Sequence, residues 1–311
     1  MKKILLTGAS GFIGSFFLRQ ALAQGFHVVA LTRNSTPENS HARLEWCRVD
    51  IAVERNWARL LKSIDVIVNL AAEMDDEDAM QAVNFDGPLR LLNAAIDAGV
   101  RRWVQLSSVG AYGLTSKGIV DEHWDDYPVG QYEKTKSDFD LALFEASGFS
   151  RIKVCILRPS NVYGFGMRNQ SLRQLLSVIR KRFFVFVGPV GASANYVHVQ
   201  DVCQAIGLCV SHPNAANQTY IVSAWATIES LVNGLVIGSG SAYPSKRFPL
   251  VLAIWIAKVL QWWPNCPISL GRINALSARC SYSTGKIEKE LGWKLTVPVE
   301  EGMQNFARDC R

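Results

Sequence analysis

Thr7-Gly8-Ala9-Ser10-Gly11-Phe12-Ile13-Gly14 is the stretch on which the reading of this chain turns. It follows the apolar run Lys3–Thr7 directly and opens a helical pattern over residues 12–24. Glycines at this spacing between a strand and a helix suit a phosphate turn. Gly8 permits the tight turn, Gly11 lets the backbone approach a pyrophosphate, and Gly14 lets the helix lie close to the strand. Free N–H groups at the helix start, around Phe12 and Ile13, and the positive end of the helix dipole then hold the anion.

Outward from this turn, apolar β-branched runs at 3–7, 27–31, 44–49, 66–70, 103–107 and 153–157 read as strands. They are nearly continuous rather than alternating, as expected of parallel strands covered on both faces. Helical spacing fills 12–24, 54–63, 78–98 and 132–147. The alternation predicts an α/β fold, a right-handed doubly wound parallel sheet. After about residue 160 the rhythm breaks. Residues 218–222 read as a late strand, 169–182, 201–210 and 250–263 as helices, and 238–249 as a loop. The expected organisation is a dinucleotide-binding domain of residues 1–163, with 196–225 returning to it. A smaller, mostly helical C-terminal substrate lobe takes 164–195 and 226–311.

The chain has 311 residues, 49% of them hydrophobic and 19% charged, with formal net charge +6. That composition can bury a full core and excludes disorder. The charge is mild and forms no long basic block, so no nucleic acid is expected as a partner. Seven scattered cysteines without a C-x-x-C pair read as reduced thiols in a cytoplasmic protein, with no metal site. Residues 250–263 are too few to span a bilayer and carry Lys258, so no integral membrane span is expected. Core or subunit packing is preferred for this segment over a membrane-interface belt of Trp255, Trp262 and Trp263.

Two positions bear on chemistry. At the end of the second strand an acidic residue would bind the 2′-hydroxyl of NAD, whereas arginine meets the 2′-phosphate of NADP. Thr32 and Arg33 stand there without a carboxylate, which favours NADP over NAD. Further on, Tyr132 and Lys136 lie four apart, on one face of a helix. A nearby cation favours phenolate, so Lys136 is expected to lower the Tyr132 pKa toward the range of an acid/base catalyst. The preceding strand ends in Leu106-Ser107-Ser108-Val109, at the carboxyl edge where ligands collect. Ser108 either hydrogen-bonds the substrate oxygen that Tyr132 protonates or caps a turn.

Together with Thr7–Gly14, Asp50-Ile51, Leu70-Ala71-Ala72, Asn84 and Ser107-Ser108-Val109-Gly110-Ala111-Tyr112-Gly113, the Tyr132–Lys136 motif resembles the extended short-chain dehydrogenase/reductase superfamily. The likeness continues through Leu157-Arg158-Pro159-Ser160-Asn161-Val162-Tyr163-Gly164 and Tyr196-Val197-His198-Val199-Gln200-Asp201-Val202, and ends with Lys286 and Glu290-Leu291-Gly292-Trp293. It covers nearly the whole chain and is closest to the NAD(P)-dependent epimerase/dehydratase branch, in particular nucleotide-sugar 4-epimerases and 4-ketoreductases of surface-polysaccharide pathways. The resemblance implies a Rossmann-type sheet and catalysis by Ser108, Tyr132 and Lys136, with Lys136 also holding the nicotinamide ribose. It places Asp50 and Ile51 by the adenine, Leu70, Ala71 and Ala72 along the cofactor, and Asn161 in the substrate pocket. It also implies a homodimer.

Two departures temper what it implies. Ala194-Asn195 stands where sugar epimerases often carry the diphosphate-binding Arg-Asp, leaving Arg272 and Arg279 as candidate diphosphate contacts, or a substrate without diphosphate. Arg33 tilts the reading toward a cofactor-exchanging reductase. The alternatives are a carbonyl reductase of hydroxysteroid or dihydroflavonol type, and a non-catalytic cofactor-binding regulator; the intact Ser108, Tyr132 and Lys136 argue against the latter. The acidic run from Glu73 to Asp78 reads as a solvated loop and helix start. Arg180-Lys181-Arg182 reads as charge at a helix C-terminus, and His198 with Cys203 and Cys209 as packing.

Overall fold

The computed structural model describes residues 2–34, 41–167, 169–260 and 270–310; the side chains of Leu260, Arg272 and Ala275 lie outside the described set, as do Trp262, Trp263 and Cys266. Seven strands, β1 (Lys3–Thr7), β2 (His27–Thr32), β3 (Leu44–Arg48), β4 (Val66–Asn69), β5 (Arg102–Leu106), β6 (Lys153–Pro159) and β7 (Gln218–Val222), form the central sheet. Their order across the sheet is β7-β6-β5-β4-β1-β2-β3 and every pairing is parallel. This is a Rossmann-type doubly wound sheet. The chain starts at β1, winds outward through β2 and β3, then crosses back to β4 on the other side of β1. Winding reverses between β1 and β4, and a crevice opens there at the strands' carboxyl ends.

Alternate residues of each strand feed opposite faces. Ile4 and Leu6 join a core with Phe17, Val202 and Ile206, while Leu5 joins one with Leu91, Trp103 and Phe139. Burial on both faces is why these strands read as unbroken apolar runs.

A third core, built around Leu231, Leu235, Met303 and Phe306, sits outside the sheet. Its helices Ile228–Ser239 and Val299–Asp309 were not predicted. The first starts on the Thr227 side chain, which accepts the Ser230 N–H, and stops at left-handed Gly240, two residues into the expected 238–249 loop. A Cβ at Gly234 or Gly238 would stand 2.2 and 2.1 Å from the Glu300 and Gln304 carbonyl oxygens, so these glycines permit backbone-to-backbone approach of the two helices. Short sheets complete this part. Ser193–His198 pairs with Asn161–Tyr163 and Trp225–Thr227, Arg247–Phe248 with Phe186–Val187, and Arg279–Tyr282 with Lys117–Val120.

Three expectations change. The 54–63 helix shrinks to Ala58–Leu61, because the Asp50 carboxylate accepts the Ala52 N–H and holds a turn there, and Trp57 is anchored in the core. The 78–98 helix contains a π turn over Ala82–Asp86. A helix with one extra residue in a turn swings its side chains round, and here it carries buried Asn84. The third change concerns the apolar segment at 250. The helix Leu250–Leu260 buries only one face, with Ala253 and Ala257 packed beside Val187, Phe248 and Ile273. Its opposite face is exposed, so it is not a core helix.

Candidate active site

The crevice above β1 and β4 is built by backbone geometry first. Gly8 has φ +66°, and a Cβ on it would stand 2.7 Å from the Ala71 nitrogen; one on Gly14 would stand 2.0 Å from the Gly8 oxygen. The Thr7 hydroxyl donates to the Asn69 side chain and accepts the N–H groups of Leu70 and Ala71 at 3.1 Å, tying the two strand ends together. The helix Phe12–Ala23 begins at Gly11 with no side-chain cap and no acidic residue in its first turn. Its first N–H groups therefore open toward the cavity, which suits an anion.

That cavity measures about 760 Å³ and gathers most of the predicted residues. Gly8, Gly11, Phe12, Ile13, Gly14, Thr32, Arg33, Ile51, Leu70, Ala71 and Ala72 line it, as do Ser108, Tyr132, Lys136 and Asn161. The donor set fits a dinucleotide: uncapped helix N–H groups at one point, apolar walls on either side, and a lysine at the far end.

Asp50 does not line the cavity, since its carboxylate holds the Ala52 turn. Arg279 also stands elsewhere, donating to the Pro189 and Val190 carbonyls at 3.2 and 2.6 Å. Arg272 lies on the helix Leu270–Ser277, but its side chain is outside the described set. Ala194 is buried, and the Asn195 amide donates to the Cys280 carbonyl at 3.0 Å. Among the described residues, Arg33 and Lys136 are the cations lining the cavity.

Lys136 and Tyr132 project from the first turns of the helix Gln131–Phe149. The Lys136 side chain is 2% exposed, and burial holds its pKa down to about 8 while the Asp140 carboxylate opposes the fall. The expected lowering at Tyr132 does not occur. Burial pushes the phenol up to about 12, with the Glu133 and Asp140 carboxylates adding to the rise. The low polarity that makes the site useful costs the phenolate its solvation. Ser108 caps a turn and also lines the cavity. Its oxygen accepts the Gly110 N–H at 3.0 Å, capping the short helix Val109–Tyr112, and its hydroxyl proton stays free to point into the cavity.

Behind these residues lies a buried ionic cluster. Arg158 makes a bidentate pair with Asp126 at 2.6 and 2.7 Å and reaches Asp140 at 3.1 Å, with its guanidinium over the Tyr112 ring at 4.7 Å. Asp140 also accepts the Ser107 hydroxyl at 2.6 Å. Asp126 belongs to the approach to the helix Gln131–Phe149, Asp140 to the helix itself, and Ser107 directly follows β5. Arg158 thus ties the approach to the helix that carries Tyr132 and Lys136 to that helix and, through Asp140, to the segment that carries Ser108.

Asn84 performs a similar task across the cavity. Its amide donates to the Glu73 carbonyl and the Thr135 hydroxyl, and its oxygen accepts the Glu73 N–H. The acidic run proves mixed. Asp76 caps the helix Glu77–Gln81, as a helix start should. Glu73 instead lines the cavity and stands 3.9 Å from Arg33. Although partial burial opposes it, neighbouring backbone N–H groups and Arg33 hold the Glu73 carboxyl below its ordinary range. Sequence reasoning did not single out Glu73, Ser107, Met167, Gln170 or Tyr196 as cavity residues: Glu73 reads as part of a solvated acidic run, Ser107 and Tyr196 stand in family motifs without a role of their own, and Met167 and Gln170 carry no local motif. His198 packs edge-on against Tyr163 at 5.3 Å.

Residues 4–223 match the model of the NAD dependent epimerase/dehydratase family. The chain is 26% identical to a UDP-glucose 4-epimerase of Vibrio cholerae, over 99% of this chain and 95% of that one. It is 22% identical to a 3beta-hydroxysteroid-dehydrogenase/decarboxylase of Arabidopsis thaliana, over 96% and 77% respectively. Among solved structures, the dTDP-glucose 4,6-dehydratase of Streptomyces venezuelae with NAD bound superposes with a TM-score of 0.76 at 26% identity, covering 98% of this chain and 96% of that one. With the glycine turn, the reversed winding and the family match in place, the chain belongs to the NAD-dependent epimerase/dehydratase family of enzymes.

Proposed function

We propose that this enzyme reduces a 4-keto sugar, or epimerises a sugar at that carbon, while the sugar is carried on a nucleotide. The observation that carries the reading is one cavity lined by the uncapped glycine turn together with Ser108, Tyr132 and Lys136. A bound nicotinamide dinucleotide supplies or accepts the hydride. Tyr132 moves the accompanying proton to or from the sugar oxygen, and Ser108 donates a hydrogen bond to that oxygen. Lys136 holds the ribose hydroxyls and offsets the phenolate when it forms. Because Tyr132 is pushed up to about 12, the resting site holds a phenol, which suits donation to a carbonyl.

The division of labour follows: residues 1–163 with 196–225 hold the cofactor, and 164–195 with 226–311 hold the substrate. We assign the protein to the cytoplasm on its reduced thiols, and a homodimer to the exposed Leu141 and Phe144 of the catalytic helix. One observation favours a second reading, a flat apolar alcohol or ketone of steroid type. Neither Ala194 nor Asn195, which stand where sugar epimerases often carry a diphosphate-binding arginine and aspartate, lines the cavity, and the Asn195 amide is engaged by the Cys280 carbonyl. A thermal-shift screen separates the two. Stabilisation by UDP-, GDP- or dTDP-sugars supports the first reading, and stabilisation by sterols alone replaces it.

NADP is the proposed cofactor, on Arg33 at the end of β2. The Arg33 side chain is 52% exposed and only loosely paired with Glu73, so it is free to reach a 2′-phosphate. Changing Arg33→Asp should weaken NADPH binding about tenfold or more, the worth of a charge-assisted hydrogen bond, and NADH binding far less. Fluorescence titration of both cofactors reads this out, and equal losses would remove Arg33 from cofactor choice.

The lowered Lys136 pKa sets a pH dependence. The ammonium loses its proton as pH rises through about 8, so kcat/KM should fall along an alkaline limb centred there. Asp140→Asn removes the charge that keeps Lys136 protonated and should move the limb to lower pH. Stability takes the opposite sign. The unfolded chain binds the Lys136 proton more tightly, so this residue's contribution to stability rises with pH between about 8 and its ordinary 10.5. A flat rate profile across this window would exclude the role given to Lys136.

A further inference from the structure

The net charge of this chain is unevenly spread. No aspartate or glutamate occurs between Glu229 and Glu288, and that interval carries six cations: Lys246, Arg247, Lys258, Arg272, Arg279 and Lys286. Six is also the net charge of the whole chain, so the remainder is neutral overall. The acid-free interval contains the helix Leu250–Leu260.

That helix is apolar on both sides. Its inner side, through Ala253 and Ala257, completes a small core. Its outer side presents Val251 at 78% exposure, Leu252 at 50%, Trp255 at 63% and Val259 at 55%. At 3.6 residues per turn these four fall within an arc of about 100°, with Lys258 at its margin. Lys246 and Lys258 are exposed, and neither pairs with a carboxylate among the described residues; the nearby Arg247 is engaged by Glu229 at 2.7 Å. A second basic corner, Lys181-Arg182 followed by exposed Phe183, leads into the strand Phe186–Val187. That strand pairs with Arg247–Phe248 immediately before the apolar helix. Both basic segments are thus tied to the ribbon from which the helix emerges.

We propose that the outer face of the helix Leu250–Leu260 docks this enzyme on the surface of an anionic phospholipid bilayer. The helix lies in the plane of the interface, with Val251, Leu252, Trp255 and Val259 embedded at headgroup depth and Lys258 and Lys246 among the phosphates. Three considerations select this occupant. An apolar stripe bordered by lysines is the composition of an interfacial helix, and tryptophan suits the boundary between headgroups and chains. Among the described residues no helix is long and apolar enough to cross a membrane, and the eleven described residues of this one rise about 16 Å against a hydrocarbon core of about 30 Å. A second copy of the same face is disfavoured, because a two-fold contact sets each patch against itself and brings like charges together. Docking is independent of which substrate the cavity takes.

The test uses the full chain and flotation with vesicles of phosphatidylcholine, alone or mixed with phosphatidylglycerol. The protein should float with the mixed vesicles, stay behind with the neutral ones, and be released as salt is raised. The double substitution Leu252→Ser with Trp255→Ser should lower partitioning at least about tenfold, and Lys258→Glu several-fold. All three positions are exposed, so the melting temperature and cofactor binding should not change. A wild-type protein that stays in the soluble fraction with anionic vesicles at low salt overturns the proposal. So do variants that float as well as wild type. If the double variant instead dissolves a concentration-dependent dimer while the wild type ignores vesicles, the face is a subunit contact and the lipid proposal fails.

Discussion

Tyr132→Phe should lower kcat by between about 10² and 10⁴-fold while cofactor affinity stays within a few-fold of wild type. The substitution keeps the ring and its packing in the cavity wall and removes only the group that exchanges a proton with the substrate oxygen. Ser108 and Lys136 remain in place, so binding is preserved and the loss falls on the chemical step. Steady-state kinetics with either cofactor, paired with fluorescence titration, separates the two effects. Turnover that survives unchanged would exclude Tyr132 as the acid/base. Loss of cofactor binding together with rate would show that the phenol mainly shapes the cavity.

The second large effect is on stability. Arg158→Met removes the guanidinium that joins Asp126, Asp140 and the Tyr112 ring and leaves the Asp140 carboxylate buried with the Ser107 hydroxyl as its remaining hydrogen-bond partner and Lys136 as a weaker electrostatic one. A buried carboxylate stripped of its hydrogen-bonded cation costs about 3–5 kcal/mol, so the urea midpoint and melting temperature should fall sharply at neutral pH. The sign of the pH dependence is a further check. Burial already raises the Asp140 pKa, opposed chiefly by Arg158. Without that cation it rises further above its unfolded value, and the carboxyl becomes neutral in the folded protein at higher pH. The deficit of the variant should therefore shrink as pH is lowered. Adding Asp140→Asn should recover part of the loss at neutral pH. If the single and double variants are equally unstable, the cluster matters for packing rather than charge.

The local motifs were the legible part. The strands came through because each buries two faces and so shows a run of apolar residues, and the glycine turn because its spacing has one geometric use. The helices Ile228–Ser239 and Val299–Asp309 were not legible. Their packing depends on Gly234 and Gly238 meeting the Glu300 and Gln304 carbonyls, a match between segments over sixty residues apart. Two candidate contacts, Arg279 and Asp50, do not line the cavity. Arg279 was a candidate as a cation near a family motif and Asp50 through the family resemblance, and both side chains are engaged with backbone groups. The Tyr132 pKa was misjudged for a related reason. Spacing on a helix shows which charges are neighbours and says nothing about how much water the site excludes.

Sequence alone thus determined the sheet and the glycine turn and pointed to Ser108, Tyr132 and Lys136, which share one cavity, because strand burial, turn geometry and helix periodicity are properties of adjacent residues. Tertiary structure decided the rest. It put Glu73 beside Arg33 and Asn84 across to Thr135, and placed Arg158 between two aspartates. It also left one face of the helix Leu250–Leu260 outside the core. Each of these is a contact, or the lack of one, between distant parts of the chain, and only a folded chain sets which polar groups share a dry space and which apolar face stays in water.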